Sequence, residues 1–272
     1  MNKISQTIPY QFDTIFSPFK AGEFEDALTF LRDVGFTGVE VAVADPRPVD
    51  AGELARQVSR RGLSITSIST GQAYDKYGIS LSSSDEEKRG EAVEFVKGHV
   101  DISEATGSPV VTVGLLRGKI EKDNKASLTQ NLRMSMLRCV EYAASHGVNL
   151  QLEPINRSET VLINNVAEAL GFLEELGNPE NLGILYDTYH SNLEDGDMIS
   201  AVKAASGRIM NVHLADSHRG LPGYGSIDFA SIYEAIQGTG YKGAYALETL
   251  SIPSSEFVKE HCFESVSAFI KA

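Results

Sequence analysis

Short runs rich in β-branched residues alternate along the whole chain with segments whose apolar residues recur at helical spacing. The runs lie near 3–8, 37–43, 63–69, 108–114, 147–153, 182–187, 208–214 and 243–249, and predict eight strands. The helical segments lie near 24–34, 51–61, 85–106, 125–146, 164–176, 195–205, 228–238 and 255–271. Several open at Asp or Ser and close at Gly, the residues that satisfy the unpaired amides and carbonyls at helix ends. Strictly alternating strand and helix implies parallel strands, because a parallel pair needs a crossover between its members. Eight units in 272 residues fit a (β/α)₈ TIM barrel, whereas an open doubly wound sheet more often uses five to seven strands. No linker-like shift in composition divides the chain, so one barrel domain is expected over 1–272.

Composition narrows the partners. With 42% hydrophobic and 22% charged residues the chain can bury a sizeable core. A net charge of −13 repels nucleic-acid phosphates and anionic membranes, which favours a small-molecule partner. No stretch approaches the roughly 18 apolar residues of a membrane span, and MNKISQTIPYQF lacks a signal peptide's apolar segment, so a cytoplasmic protein is expected. A homo-oligomer is compatible with this composition. Cys139 and Cys262 both fall in helical segments and need no role beyond packing.

In a (β/α)₈ barrel the chemistry gathers where strands end. Glu153, Asp187, His213 and Glu248 fall at or near the ends of four successive predicted strands, 34, 26 and 35 residues apart. Singly, a carboxylate after a strand is as well explained by helix capping, and a strand His by core packing. Together they are different: three buried carboxylates require a positive partner. Three hard oxygens with one imidazole suit Mn²⁺, Mg²⁺ or Co²⁺ and admit Zn²⁺, with Mn²⁺ the expected ion. His190 and Arg219 follow two of these strands and would project over the same mouth, or else serve as a helix-entry polar residue and a solvated surface arginine. No complete phosphate-binding loop and no G-x-S-x-G elbow is present; GLLRGKI lacks the spacing of the first.

LEPINRSE at 152–159, DTYHSNLED at 187–195, VHLADSHRGLPGYGSIDF at 212–229 and YKGAYALE at 241–248 resemble the xylose-isomerase-like barrel isomerases and epimerases, which include ketose 3-epimerases. STGQAY at 69–74, GISLSSSDEEKR at 78–89 and GLLRG at 114–118 resemble the loops of one subgroup, the 5-keto-L-gluconate epimerases of inositol catabolism. The resemblance implies that Glu153, Asp187, His213 and Glu248 bind one divalent metal, and that Glu159, His190 and Arg219 contact a sugar or sugar-acid substrate.

Epimerisation beside a ketone needs a base on one face, an acid on the other and stabilisation of the developing enediolate. Glu153 and Glu248 are the expected catalytic pair, and Arg219 and Arg117 the cations available for a substrate carboxylate. The long polar loops carrying Gln72, Tyr74 and Arg117 are expected to close partly over the substrate. The same two glutamates would equally serve an aldose-ketose isomerase such as a hydroxypyruvate isomerase. An endonuclease-IV-like nuclease would need several more histidines and a basic groove, and a non-catalytic sugar-binding barrel would not need both glutamates.

Overall fold

In the computed structural model, which describes residues 2–119 and 124–270, eight parallel strands close into one barrel in the order of the chain. They are β1 (Lys3–Pro9), β2 (Gly38–Ala42), β3 (Ser64–Ser69), β4 (Val110–Val113), β5 (Asn149–Leu152), β6 (Leu182–Asp187), β7 (Ile209–Leu214) and β8 (Ala244–Leu247), with β8 pairing back to β1. Around them lie α1 (Phe24–Val34), α2 (Ala51–Ser59), α3 (Gln72–Tyr77), α4 (Glu86–Thr106), α5 (Lys125–Ser145), α6 (Val166–Glu175), α7 (Thr188–Glu194), α8 (Met198–Ala204), α9 (Phe229–Gly238) and α10 (Ser255–Ser267). Two short 3₁₀ turns occupy Ala21–Glu23 and Leu115–Arg117. The fold is the TIM barrel expected from the sequence.

Local chemistry explains the boundaries. Asp50, Asp85, Asn124, Asn165, Asp197, Asp228 and Ser254 each accept a hydrogen bond from a first-turn amide of the adjoining helix. Gly35 and Gly107 take left-handed backbone after α1 and α4, where a side chain would be strained. The core between barrel and helices is aliphatic, with Leu28, Val41, Leu54, Val96, Leu132, Leu173 and Val202 fully buried. Cys139 and Cys262 are free and buried, in keeping with packing roles.

Two helices were not expected. α3 follows β3 at once, and α7 follows β6 with no loop between, so His190 stands in the first turn of a helix and not on a loop. The segment expected as one helix over 195–205 begins only at Met198, and α10 ends at Ser267; position 271 of its expected span lies outside the described residues. Among the described residues no helix is long and apolar enough to cross a membrane.

Two register shifts shape the polar interior of the barrel. Between Val39 and Glu40 the β2–β3 pairing skips Thr66, which sets Ser67 opposite Glu40. Between Ile184 and Leu185 the β6–β7 pairing skips Met210, which sets His213 opposite Asp187. Such bulges re-aim side chains near sites, and here each brings two polar groups onto the barrel's inside.

Candidate active site

Asp187 ends β6 and caps α7. Its Oδ1 accepts from the amides of Tyr189 (2.7 Å) and His190 (3.0 Å), which leaves Oδ2 buried with no hydrogen-bond partner. His213 stands beside it, and its Nδ1 is likewise buried without a hydrogen bond. From that nitrogen Glu248 Oε2 is 3.5 Å away, Asp187 Oδ2 3.7 Å and Glu153 Oε1 3.8 Å. One donor atom from each of the four residues lies within 4.8 Å of all the others. Glu153 and Glu248 sit one residue beyond β5 and β8, because these strands end at 152 and 247, earlier than the 153 and 249 expected.

This donor set fits a divalent cation. Two buried ligand atoms without hydrogen-bond partners face two further carboxylates, a donor set that would hold one hard divalent ion. The charges point the same way. Burial first, then the neighbouring Glu248 and Asp187, push the Glu153 carboxyl well above the usual range. Burial opposes ionisation of Asp187 and Glu248 too, but His213 and Arg219 hold Glu248 low, and His190, His213 and Arg219 hold Asp187 lower still. Burial would also lower His213, yet Glu40, Glu248 and Asp187 keep its imidazole well above its ordinary value. A cation among these groups relieves the repulsion that the shifts express.

Above the cluster a cavity opens at the carboxyl end of the barrel. Glu153, Glu248, Glu159, His190, Arg219 and Gln72 all line it, together with Thr7, Phe16, Asp75 and Leu115. His190 is buried and oriented by Asn156, whose side-chain Nδ2 donates to Nδ1 at 3.0 Å. Asn156 cannot be turned round, since its Oδ1 accepts from the Ser158 amide at 3.0 Å. Nδ1 accepts from Asn156 through both its side chain and its main-chain amide (3.4 Å), which leaves the proton to Nε2, 3.8 Å from Glu153 Oε1 and 3.5 Å from Arg219 Nη2. Burial holds this imidazole below its usual value, against the pull of Asp187.

Arg219 adopts a left-handed backbone, φ 61°, uncommon for a residue with a side chain. Its guanidinium lies between the rings of Phe16 (4.0 Å) and Tyr189 (5.0 Å). Nη1 donates to Glu159 at 2.8 Å, Nη2 is 3.6 Å from Glu248, and Nε has no partner. Gln72, at the start of α3, donates to the main-chain oxygen of Phe12 at 2.6 Å and so ties the loop after β3 to the loop after β1.

Arg117 corrects an expectation. It is wholly buried and absent from the cavity wall, and its guanidinium donates to the main-chain oxygens of Leu162 (3.0 Å), Ile163 (3.1 Å) and Glu153. With one donor from each of its three nitrogens on these carbonyls and no surface on the cavity, it braces the loops after β4 and β5 and does not reach a substrate carboxylate. The neighbouring Gly114 has a plainer reason to be Gly: a Cβ there would sit 2.9 Å from Glu153 Oε2.

Three contributors escaped the sequence reading. Phe16 and Asn156 act only through contacts that the fold creates. Glu40 left a signal, a lone charge inside the apolar strand GVEVA. It is fully buried, and His213 Nε2 lies 3.0 and 3.1 Å from its two oxygens.

Comparison with known proteins leads to the same place. Residues 28–261 match the family described as xylose isomerase-like TIM barrel. The chain belongs to this family. It is 34% identical over 88% of its length to an L-ribulose 3-epimerase of Mesorhizobium japonicum, covering 78% of that protein. A ketose 3-epimerase of Arthrobacter globiformis is also 34% identical, over 81% of this chain and 75% of its own. The solved structure of an L-ribulose 3-epimerase superposes with a TM-score of 0.79 at 30% identity, covering all of this chain and 88% of that one. This xylose isomerase-like barrel is thus an enzyme of the isomerase class, whose relatives are sugar epimerases.

Proposed function

We propose that this enzyme is a divalent-metal-dependent ketose 3-epimerase, with Mn²⁺ the preferred ion. The observation that carries the reading is the pair of buried, unpartnered atoms, Asp187 Oδ2 and His213 Nδ1, facing Glu153 and Glu248. The names of the relatives favour epimerisation at C3 over ketose-aldose isomerisation.

Glu153, Asp187, His213 and Glu248 would hold the ion, which supplies positive charge against the negative charge that grows on the substrate oxygens. Glu153 and Glu248 come from strands three places apart round the barrel and reach the substrate from different sides. One removes the proton from the carbon next to the ketone; the other returns a proton to the opposite face, inverting that centre. His190, with Nε2–H turned inward, donates to a substrate oxygen. Arg219, kept cationic by its carboxylate neighbours, donates to another and fixes Glu159 beside it.

A neutral ketose suits the cavity better than a keto-acid. Its wall carries four carboxylates, Asp75, Glu153, Glu159 and Glu248, against the single guanidinium of Arg219, which Glu159 and Glu248 already flank. Lys119 lies farther out and pairs with Asp75 at 2.6 Å. Protein loaded with Mn²⁺ is expected to interconvert the C3 epimers of L-ribulose, D-fructose or D-tagatose, and to stop after chelation. Conversion of 5-keto-L-gluconate with no turnover of any neutral ketose would overturn the substrate class. Aldose formation would overturn the reaction.

A further inference from the structure

Glu40 has no part in the reaction as described, yet its setting is the least expected in the molecule. It occupies the middle of β2 between Val39 and Val41, with no exposed surface. Among the described residues the partners of its carboxylate are Thr7 Oγ1 at 3.1 Å, the Ser67 hydroxyl, Asn211 Nδ2 at 3.5 Å and His213 Nε2. None is a lysine or arginine. The one partner able to carry positive charge is the His213 imidazole, which ties the cost of burying this carboxylate to that ring.

Glu40 Oε1 accepts from Thr7 Oγ1 and Oε2 from Asn211 Nδ2, whose own Oδ1 is fixed by the Val212 amide, and a carboxylate accepting on both oxygens takes a further bond from His213 Nε2, 3.0 Å from Oε2. We propose that Glu40 is a positioning residue, holding the His213 ring with Nε2 protonated so that Nδ1 presents its lone pair to the cation. The register shift that skips Thr66 serves this arrangement, because it brings the Ser67 hydroxyl round to Glu40. Thr7 on the neighbouring strand fixes the other oxygen and also lines the cavity, so the anchor reaches from the barrel interior to the cavity wall. A second hydrogen bond of this kind sets both the tautomer and the orientation of a metal-bound imidazole. His190 has the same tautomer but is turned the other way: its Nδ1 accepts from Asn156 and its Nε2–H faces the cavity, so different neighbours aim the two rings differently.

The inference rests on the metal site proposed above, and its test separates the two. Mn²⁺ affinity is measured by equilibrium dialysis for the wild type, Glu40→Gln, His213→Ala and the double variant. Glu40→Gln, which keeps size and one acceptor but loses the charge, should weaken Mn²⁺ binding about 10–100-fold. In the His213→Ala background the same change should alter affinity less than about threefold, because its route is gone. Wild-type affinity in Glu40→Gln, or an undiminished loss in the double variant, would overturn the proposal. Should Glu40→Gln fail to fold, ¹⁵N NMR of histidine-labelled, Zn²⁺-loaded wild type decides. A proton on His213 Nε2 supports the inference, and one on Nδ1 overturns it. A wild type that binds neither ion would instead remove the metal site itself.

Discussion

Arg117 and Arg219 are both buried, both follow barrel strands, and both lie near Glu153, yet they do opposite things. Arg117 donates to three main-chain carbonyls and touches no carboxylate; burial dominates and brings its guanidinium down to about 10. Arg219 also suffers burial, but Glu248, Asp187 and Glu159 outweigh it and raise its guanidinium above the ordinary value. The first joins two loops through their backbones. The second has an unpartnered Nε, a strained backbone and two aromatic walls, the marks of a group held ready for something else. What separates a structural arginine from a functional one is therefore the fate of its donors.

The largest expected effect is at Arg219. Arg219→Ala should lower kcat/KM by about 10³ while the melting temperature stays within a few degrees of the wild type. A loss of stability with preserved turnover would make it a second Arg117. For Arg117→Ala the loss should fall on the fold, because the buried carbonyls of Glu153, Leu162 and Ile163 each lose a hydrogen bond, Ile163 keeping only that from the Ile155 amide. About 3 kcal/mol corresponds to a fall of about 6–12 °C in Tm, read by calorimetry, with KM near normal in the protein that remains folded. Arg117→Lys should recover little, since one ammonium cannot reproduce a planar fork aimed at three acceptors. A raised KM at unchanged Tm would return Arg117 to the cavity.

Phe16 offers a finer test. Phe16→Leu keeps an apolar wall but removes the ring 4.0 Å from Arg219. A cation–π contact of about 1 kcal/mol predicts a KM raised about fivefold, and the same change in an Arg219→Ala background should do almost nothing. Equal effects in both backgrounds would mean that the ring meets substrate directly.

These contrasts also mark what a sequence can carry. Strand and helix positions were legible because period-2 and period-3.6 patterning with Asp, Asn and Gly punctuation is local information. The four clustered residues were legible because barrel topology sends every strand end to one mouth, so a position late in a strand already implies a neighbourhood. The role of Arg117 was not, since its partners at 153, 162 and 163 are main-chain atoms that any sequence supplies. α7 was hidden for a related reason: Asp187 ends a strand and caps a helix at once, which leaves no loop to read. Glu40 meets His213 across 173 positions of sequence, between strands that do not pair with each other, a contact that no pattern of residue types announces.

Proton transfer by Glu153 and Glu248 at one carbon is the step on which the proposed reaction depends. Incubating the Mn²⁺-loaded enzyme with a neutral ketose in D₂O and following the sugar by NMR tests it. One deuterium should enter at the carbon beside the ketone in the epimerised product, and neither Glu153→Gln nor Glu248→Gln should form that product. Epimer formed without deuterium, or label accompanied by aldose, would contradict the two-glutamate epimerase.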